Sequence, residues 1–318
     1  MPERPEQNSN GQEKAHSAEV EPSDLDDEDW EILLERINEQ KCTPFIGPGI
    51  YSDVNSFVPL IRDWSQHPQY PFNDFDDLTL AAQFRAVFYD PVDPKDKIIK
   101  RLAELATPDF TQLNEPHRIL ASLPLSYYIT TNYDDFMFKA LEFRHRAPRR
   151  DMCRWNDPER SEDLSIFKSG YVPDAANPLV FHLYGYSHNR RNSSLVLTED
   201  DYLDFLANVS KYPRLIPPLV QAACTDASVL LLGYRLDDWN FRILFRTLVS
   251  YMKFSPYKGH LSVQLVPGDD EAPQEQKAKA QRYFKRYLKN HNFSVTWKTC
   301  QGFIEELKAR WEQSGYGD

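Results

Sequence analysis

The feature that most constrains the fold of this chain is a repeated order of apolar strand, polar turn and helix in its second half. Apolar runs begin at Leu125, Leu179, Ser228 and His260, and a last strand and helix follow residue 291. Strands that are joined by helices pair in parallel and place helices on both faces of a sheet. We therefore predict an α/β fold with a doubly wound, mostly parallel sheet.

Three segments precede this alternation. Asp27 to Gln40 has acidic residues in its first turn and apolar residues at helical spacing, which predicts a helix with one buried face. Cys42 to Ile46 is a short apolar run that ends at a glycine turn, as the first strand of nucleotide-binding α/β folds usually does. Residues 57–124 carry apolar residues three and four apart throughout, so we predict helices with no intervening strand.

Residues 1–26 differ in composition from the rest. The formal net charge is −11, and residues 1–30 contain ten acidic and two basic residues, so most of the excess acidity lies there. A polar, acidic segment with few aromatic residues cannot bury enough surface to offset the entropy of ordering. We predict a disordered acidic arm over residues 1–26 and a folded domain over residues 27–318, with nucleic acid as an indirect partner at most.

Hydropathy and cysteine spacing bear on location and metal content. No run approaches the roughly 18 apolar residues of a membrane span, and the amino terminus lacks the pattern of a signal peptide. Cys42, Cys153, Cys224 and Cys300 are dispersed and form no CxxC pair, so they indicate neither a zinc module nor a disulfide framework. We expect a cytoplasmic protein with no membrane segment and no metal.

Glycines and polar side chains follow several of the predicted strands. Only eleven glycines occur in 318 residues, and four of them come just after a strand: Gly47, Gly49, Gly185 and Gly233. Polar residues occupy the same positions: Thr130, Thr131, Asn132, Asp134, His182, Tyr234, Arg235 and Asp237. Because open parallel sheets bind ligands outside the carboxyl ends of their strands, we predict a ligand site at this edge.

These residues also have purely structural interpretations. Strand ends need turn residues, and either Asn132 or Asp134 could cap the helix that follows them. His182 could be a core histidine bonded to a backbone carbonyl. A metal site at His182 and His188 is disfavoured, because no nearby Cys or acidic residue completes a ligand set.

Two basic segments lie outside these motifs. Arg144 to Arg154, together with Arg190 and Arg191, is interpreted as a solvated loop in preference to a nucleic-acid contact. Lys277 to Lys289 alternates basic with apolar and aromatic residues, which is typical of a helix with an exposed charged face.

Four motifs together resemble a known family. They are FIGPGI at Phe45–Ile50, ITTNYD at Ile129–Asp134, FHLYGY at Phe181–Tyr186 and LGYRLDDWNFR at Leu232–Arg242. In order and spacing they are similar to the sirtuin-like domain of prokaryotic defence and signalling proteins. The resemblance covers most of the chain after the acidic arm. It implies a Rossmann-like NAD-binding domain with a smaller inserted helical module, which residues 57–124 would form.

The resemblance also implies a role for each matching residue. Asn132 corresponds to the catalytic asparagine and His182 to the catalytic histidine. The implied NAD-binding residues are Gly47, Gly49, Ser52, Thr131, Asp134, Gly233, Tyr234 and Arg235. A glycine turn lets backbone N–H groups approach a pyrophosphate. Breaking the nicotinamide–ribose bond creates an oxocarbenium-like centre, which an amide that positions ribose or water and a proton-accepting histidine can assist.

The sequence departs from the family pattern at several places. Pro48 stands where alanine is usual and removes one N–H from the turn, and Tyr51 precedes Ser52 and so moves the family serine. Arg235 replaces a ribose-contacting serine and could hold a phosphate instead. The dispersed cysteines cannot build the zinc module of sirtuin deacylases.

Three functions are compatible with this pattern. The resemblance implies an enzyme that hydrolyses NAD to nicotinamide and ADP-ribose, as an NAD-depleting effector in antiphage defence. A second hypothesis is a non-catalytic module that binds NAD or ADP-ribose and recruits a partner protein. A protein deacylase or ADP-ribosyltransferase is disfavoured by the missing zinc module. The implied partners are further copies of the chain, or a defence protein such as an ATPase or an Argonaute-like protein.

Overall fold

The apolar runs of the second half join the first predicted strand in one sheet. The computed structural model describes residues 25–51, 57–187, 194–236, 238–252, 259–264 and 273–316. Within these ranges the sheet has seven strands: β1 (Cys42–Ile46), β2 (Tyr127–Thr130), β3 (Arg149–Met152), β4 (Leu179–His182), β5 (Ser228–Tyr234), β6 (His260–Gln264) and β7 (Phe293–Trp297). Their spatial order is β3-β4-β2-β1-β5-β6-β7, and all neighbours pair in parallel.

Helices cover both faces of the sheet. The described helices are α1 (Asp27–Asn38), α2 (Val58–Ser65), α3 (Leu78–Phe88), α4 (Asp93–Glu104), α5 (Pro116–Ser122), α6 (Phe136–Phe143), α7 (Ser161–Leu164), α8 (Glu199–Lys211), α9 (Pro218–Thr225), α10 (Trp239–Met252), α11 (Gln274–Lys289) and α12 (Cys300–Gln313). Because strand side chains alternate, Val229 and Leu231 of β5 pack under α8–α11, whereas Leu230 and Leu232 pack under α1, α5, α6 and α12. The predicted doubly wound, Rossmann-like α/β fold is confirmed.

The segment 57–124 is helical as predicted, but its helices pack in two places. Helices α2, α3 and α4 share a small apolar cluster of their own with Leu195 and Leu197. Helix α5 instead contributes to the core under α1, α6 and α12. A buried ion pair from Lys95 of α4 to Asp201 of α8, at 2.6 Å, joins the small cluster to the main sheet domain. The division of the chain into a domain with an inserted module stays a prediction.

The interpretation of Arg144 to Arg154 as a solvated loop is wrong. Residues 149–152 form β3, an edge strand paired with β4, and Arg146, Arg150 and Arg154 have partners within the protein. The Arg146 guanidinium donates to the backbone carbonyls of Ala121 and Leu123, among others. The Arg150 guanidinium lies 4.0 Å from the centre of the Phe138 ring. The strand was missed because only Asp151 of its four residues is buried, so no apolar pattern marks it.

Several predictions fall on residues outside the described ranges. These are residues 1–24 of the acidic arm, Ser52, His188, Arg190, Arg191 and Asp237. The described chain begins with Leu25, which packs against the core, and with Asp26, whose side chain caps α1 by accepting from Asp29 N at 2.8 Å.

In the described ranges no helix is long and apolar enough to cross a membrane. No group of three or more His, Cys, Asp or Glu in that part of the chain is placed to hold a metal ion.

Candidate functional site

The strand order places the predicted site at a topological switch point. From β1 the chain moves to β2 and later to β3 and β4 on one side, then returns past β1 to β5 on the other. Ligands of open α/β sheets bind outside the carboxyl ends of the strands where the order reverses. Gly47 follows β1, Asn132 follows β2, His182 ends β4 and Tyr234 ends β5. The residues predicted at four strand ends thus lie along one edge.

Asn132 is buried at this edge, with 7% of its surface exposed. Its side-chain Nδ2 donates to the Gly47 carbonyl at 3.3 Å and to the Tyr51 hydroxyl at 3.1 Å. Its Oδ1 is buried without a hydrogen-bond partner among the described residues. Helix α6 begins only at Phe136, so the structural interpretation of Asn132 as a helix cap is wrong. An unsatisfied buried acceptor in a native fold calls for an explanation, and a ligand donor is one.

Asp134 has both carboxylate oxygens engaged. Oδ1 accepts from the backbone N–H of Phe136, the first residue of α6, at 2.8 Å, although the residue at the cap position itself is Asp135. Oδ2 accepts from the Tyr51 hydroxyl. Burial and the negative charge of Asp134 raise the pKa of Tyr51 well above its usual value. Tyr51 therefore stays protonated at neutral pH and acts as a donor to Asp134.

His182 is almost fully buried, with 1% of its surface exposed, at the end of β4. Its Nδ1 lies 3.2 Å from the backbone oxygen of Asn132. A carbonyl oxygen can only accept, so Nδ1 carries a proton and Nε2 of the neutral ring is the acceptor nitrogen. The bond expected of a core histidine is thus present, and it fixes the orientation of the ring with Nδ1 as the donor.

The β5 side of the site is built from glycine. Gly233 lies inside β5 rather than after it, at φ +74°, next to an irregular register with β6. A Cβ on Gly233 would lie 2.6 Å from the backbone nitrogen of Ile50, and a Cβ on Gly47 would lie 2.6 Å from the Tyr234 ring. These glycines therefore allow the turn after β1 to pack closely against the end of β5.

The remaining predicted residues take different positions. Thr131 is buried, and its Oγ1 lies 3.2 Å from the Tyr234 hydroxyl, so the two predicted residues meet. A Cβ on Gly49 would lie 3.0 Å from the Gly233 carbonyl oxygen and 3.1 Å from its Cα, which is a tight contact. Arg235 is exposed after β5. The NAD-binding roles assigned to these residues stay predictions.

The comparison with known families decides where the chain belongs. A profile of the SIR2-like domain matches residues 126–295, which is more than half of the chain. The chain belongs to the SIR2-like family. The matched segment of this SIR2-like domain holds Asn132, His182 and Gly233, while the glycine turn after β1 lies before it.

Curated relatives of this SIR2-like chain include proteins named NAD(+) hydrolase ThsA. The one from Cytobacillus dafuensis is 27% identical over 222 residues, covering 66% of this chain and 39% of the relative. The one from Bacillus cereus (strain MSX-D12) is 22% identical over 293 residues, covering 89% and 56%. Defense-associated sirtuin 2 of Bacillus subtilis is 28% identical over 160 residues, covering 47% and 14%. The chain therefore spans less than two thirds of the length of these relatives.

Sequence reasoning missed the role of one tyrosine at this SIR2-like site. Tyr51 was noted only as a change of the family turn, yet its hydroxyl lies between Asn132 and Asp134. The only signal in the sequence was an aromatic hydroxyl next to a motif, which does not reveal a contact with a residue 83 positions away.

Proposed function

We propose that this SIR2-like chain hydrolyses NAD to nicotinamide and ADP-ribose. The observation that carries the proposal is that two features occur together at one site. Asn132 Oδ1 is a buried acceptor without a partner among the described residues, and the His182 ring is oriented by the bond from its Nδ1 to the backbone oxygen of Asn132. Both belong to residues at the carboxyl edge, where this fold binds ligands. The names of the NAD(+) hydrolase relatives support the same substrate and reaction class.

The chemistry needs an attacking water and a leaving nicotinamide. In our proposal, water forms the new bond to the anomeric carbon of the ribose, and the bond from that carbon to the pyridinium nitrogen breaks. Nicotinamide leaves as a neutral molecule with the bonding electron pair, which cancels its positive charge. Asn132 Oδ1 accepts a hydrogen bond from the ribose or the water, and His182 Nε2 takes the proton that the water loses. The turn at Gly47 and Gly49 faces the pyrophosphate.

The test is a direct assay of products. Purified protein is incubated with NAD and no acylated peptide, and nicotinamide and ADP-ribose are measured by chromatography. We expect equal amounts of both products, and a much lower rate of release from the Asn132→Ala variant purified in parallel. Tight binding of NAD by calorimetry without release of nicotinamide, under all conditions and with candidate partner proteins added, would contradict the proposal.

One observation favours the non-catalytic alternative. Both oxygens of Asp134, the residue expected near nicotinamide, already accept hydrogen bonds from the protein. A site in which that carboxylate cannot recognise the carboxamide could bind ADP-ribose or NAD without turnover and recruit a partner. The product assay separates the two candidates, because only the enzyme releases nicotinamide.

We further propose that the chain acts in the cytoplasm as an NAD-depleting effector of antiphage defence. The support is the name of the defence-associated relative together with those of the NAD hydrolases. Its partners would be further copies of the chain, or a defence protein such as an ATPase or an Argonaute-like protein. Phage challenge of cells that carry the wild-type or Asn132→Ala gene, with cellular NAD followed over time, tests this role: only the wild-type should deplete NAD.

A further inference from the structure

We infer that Tyr51 is a positioning residue that fixes the amide of Asn132 with its oxygen available to the ligand. The inference rests on the proposed NAD site and adds to it a residue outside the expected catalytic pair. It starts from three hydrogen bonds: Asn132 Nδ2 to the Gly47 carbonyl, Asn132 Nδ2 to the Tyr51 hydroxyl, and the Tyr51 hydroxyl to Asp134.

The direction of each hydrogen bond in this chain follows from chemistry alone. The Gly47 oxygen can only accept, so the neighbouring atom of Asn132 must be the amide nitrogen. The carboxylate of Asp134 also only accepts, so Tyr51 must give it the hydroxyl proton. The lone pairs of the Tyr51 oxygen then face the second hydrogen of the Asn132 amide. Both donors of the amide are consumed inside the protein, and Oδ1 is the atom left for a ligand.

The position of the Tyr51 ring is itself fixed by packing. The edge of the ring meets the ring of Phe136, with centres 5.8 Å apart, and the ring of His117 lies 5.6 Å away on centres. His117 in turn is buried and holds Glu115 through Nδ1 at 2.7 Å. The packing of its ring against Phe136 and His117 thus helps to hold the Tyr51 hydroxyl at Asn132 and Asp134.

Loss of the hydroxyl should free the amide to rotate. Without Tyr51 OH, the Asn132 amide is held only by its 3.3 Å bond to the Gly47 carbonyl, so the direction of Oδ1 is less firmly fixed, and the Asp134 carboxylate loses one donor. A ligand group that donates a hydrogen bond, such as a hydroxyl of the ribose next to nicotinamide, then meets the acceptor only part of the time. A ligand without that ribose should not sense the change. ADP-ribose and ADP differ in this ribose and share the adenosine and pyrophosphate.

The experiment compares the two ligands on two isosteric variants. Affinities for ADP-ribose and for ADP are measured by calorimetry on wild-type, Tyr51→Phe and Tyr128→Phe protein. Tyr128 is the matched control, because it is fully buried and its hydroxyl donates to the Leu120 carbonyl, away from the site contacts. We expect Tyr51→Phe to weaken ADP-ribose about tenfold, the value of one hydrogen bond, and to leave ADP unchanged. Tyr128→Phe should change neither affinity.

A second variant keeps the test valid if Tyr51→Phe does not fold. In Asp134→Asn the new amide donates to the Tyr51 hydroxyl, so the direction of the hydrogen bond between these two residues is reversed. The affinity for ADP-ribose should again fall while the affinity for ADP stays unchanged. The double variant should lose no more affinity than either single variant, because both act through one chain of bonds.

Equal losses for ADP-ribose and ADP, or no loss for either, would overturn the inference. The proposed function fails separately, if wild-type protein binds ADP-ribose in a Tyr51-dependent way but never releases nicotinamide. Absence of binding of both ligands to well-folded wild-type protein would refute the function and the inference together.

Discussion

The two sides of the candidate site are built on different principles. On the β1–β2 side, Tyr51, Asn132 and Asp134 are joined through side-chain hydrogen bonds of fixed direction. On the β5 side, where the turn after β1 meets the end of β5, Gly47 and Gly49 of the turn lie against Gly233 and Tyr234 of the strand, and a Cβ at Gly233 would collide with backbone atoms. The first side depends on which polar atoms are present. The second depends on the absence of side chains.

This difference predicts which property each side controls. A polar side chain can be replaced by an isostere with modest loss of stability, because surrounding packing is kept. A glycine at positive φ with backbone in contact has no substitute of similar shape. Substitutions on the β1–β2 side should therefore alter ligand chemistry in a folded protein, whereas those on the β5 side should act first on folding.

The largest effect expected on the polar side is that of His182→Ala. Loss of the proton acceptor should reduce the rate of nicotinamide release by roughly two to four orders of magnitude, the usual contribution of general acid–base catalysis. The measurement is kcat for NAD at saturating substrate, with folding checked by circular dichroism. Asn132→Ala should likewise lower kcat more than NAD affinity, because it acts at the reacting ribose.

His260→Ala is the matched control for that experiment. His260 is also a buried strand histidine, and its Nδ1 accepts from the Val229 N–H at 3.0 Å, but it begins β6 at the amino end of the strand. It should destabilise the protein without lowering kcat of the folded fraction. A folded His182→Ala protein with the wild-type rate would falsify the catalytic role and leave His182 as a core residue.

The sequence predicted the fold well because apolar periodicity determines most of it. Strands such as β5 are continuous apolar runs, so both their position and their burial are visible in the sequence. The edge strand β3 was not visible, since its residues Arg149 to Met152 are joined to the sheet by backbone bonds and carry charged side chains. Arg146, just before this strand, also finds a partner distant in sequence, the Ala121 carbonyl.

The site was predicted only in part for a related reason. Asn132 and His182 stand at strand ends within recognisable motifs, so their positions follow from the topology. The role of Tyr51 depends on where its hydroxyl points, and that is determined by Phe136 and His117, which are far from it in sequence. Spacing alone predicts which residues share an edge, but not which side chains bond to one another.

The next effect tests the glycine side. Gly233→Ala places a Cβ 2.6 Å from the Ile50 nitrogen at φ +74°, so we expect a loss of ~4 kcal/mol or more in the free energy of unfolding, or no folded protein. Gly170→Ala is the control, because its φ of +81° is similar but no atom lies within 4 Å of the new Cβ. It should cost only the backbone strain, about 1–2 kcal/mol. Equal losses in the two variants, measured by urea denaturation, would show that the contact between the turn after β1 and the end of β5 contributes nothing.

The smallest effect sharpens the comparison through pH. Burial opposes ionisation of Glu115, but the hydrogen bond and charge of His117 and the backbone N–H groups of α5 outweigh it, so the pKa of Glu115 lies below its usual value. Because the pKa of Glu115 is lower in the folded than in the unfolded state, the ionised carboxylate stabilises the fold at pH values above the unfolded-state pKa near 4.5. This stabilisation is lost as the pH falls through the pKa of the folded state. Glu115 also caps α5 by accepting from Arg118 N at 2.6 Å. We therefore expect Glu115→Gln to cost ~1 kcal/mol at pH 7, or about 2 °C in melting temperature. The difference in melting temperature from wild-type should shrink as pH falls from 5 to 3.

The control is Glu275→Gln. Glu275 forms an exposed ion pair with Lys279, so this substitution should change the melting temperature far less at every pH. If the melting temperature of Glu115→Gln stays below that of wild-type by the same amount down to pH 3, the shape of Glu115 and not its charge holds His117 against the Tyr51 ring. The polar, charge-dependent side of the site would then extend no further than Asp134.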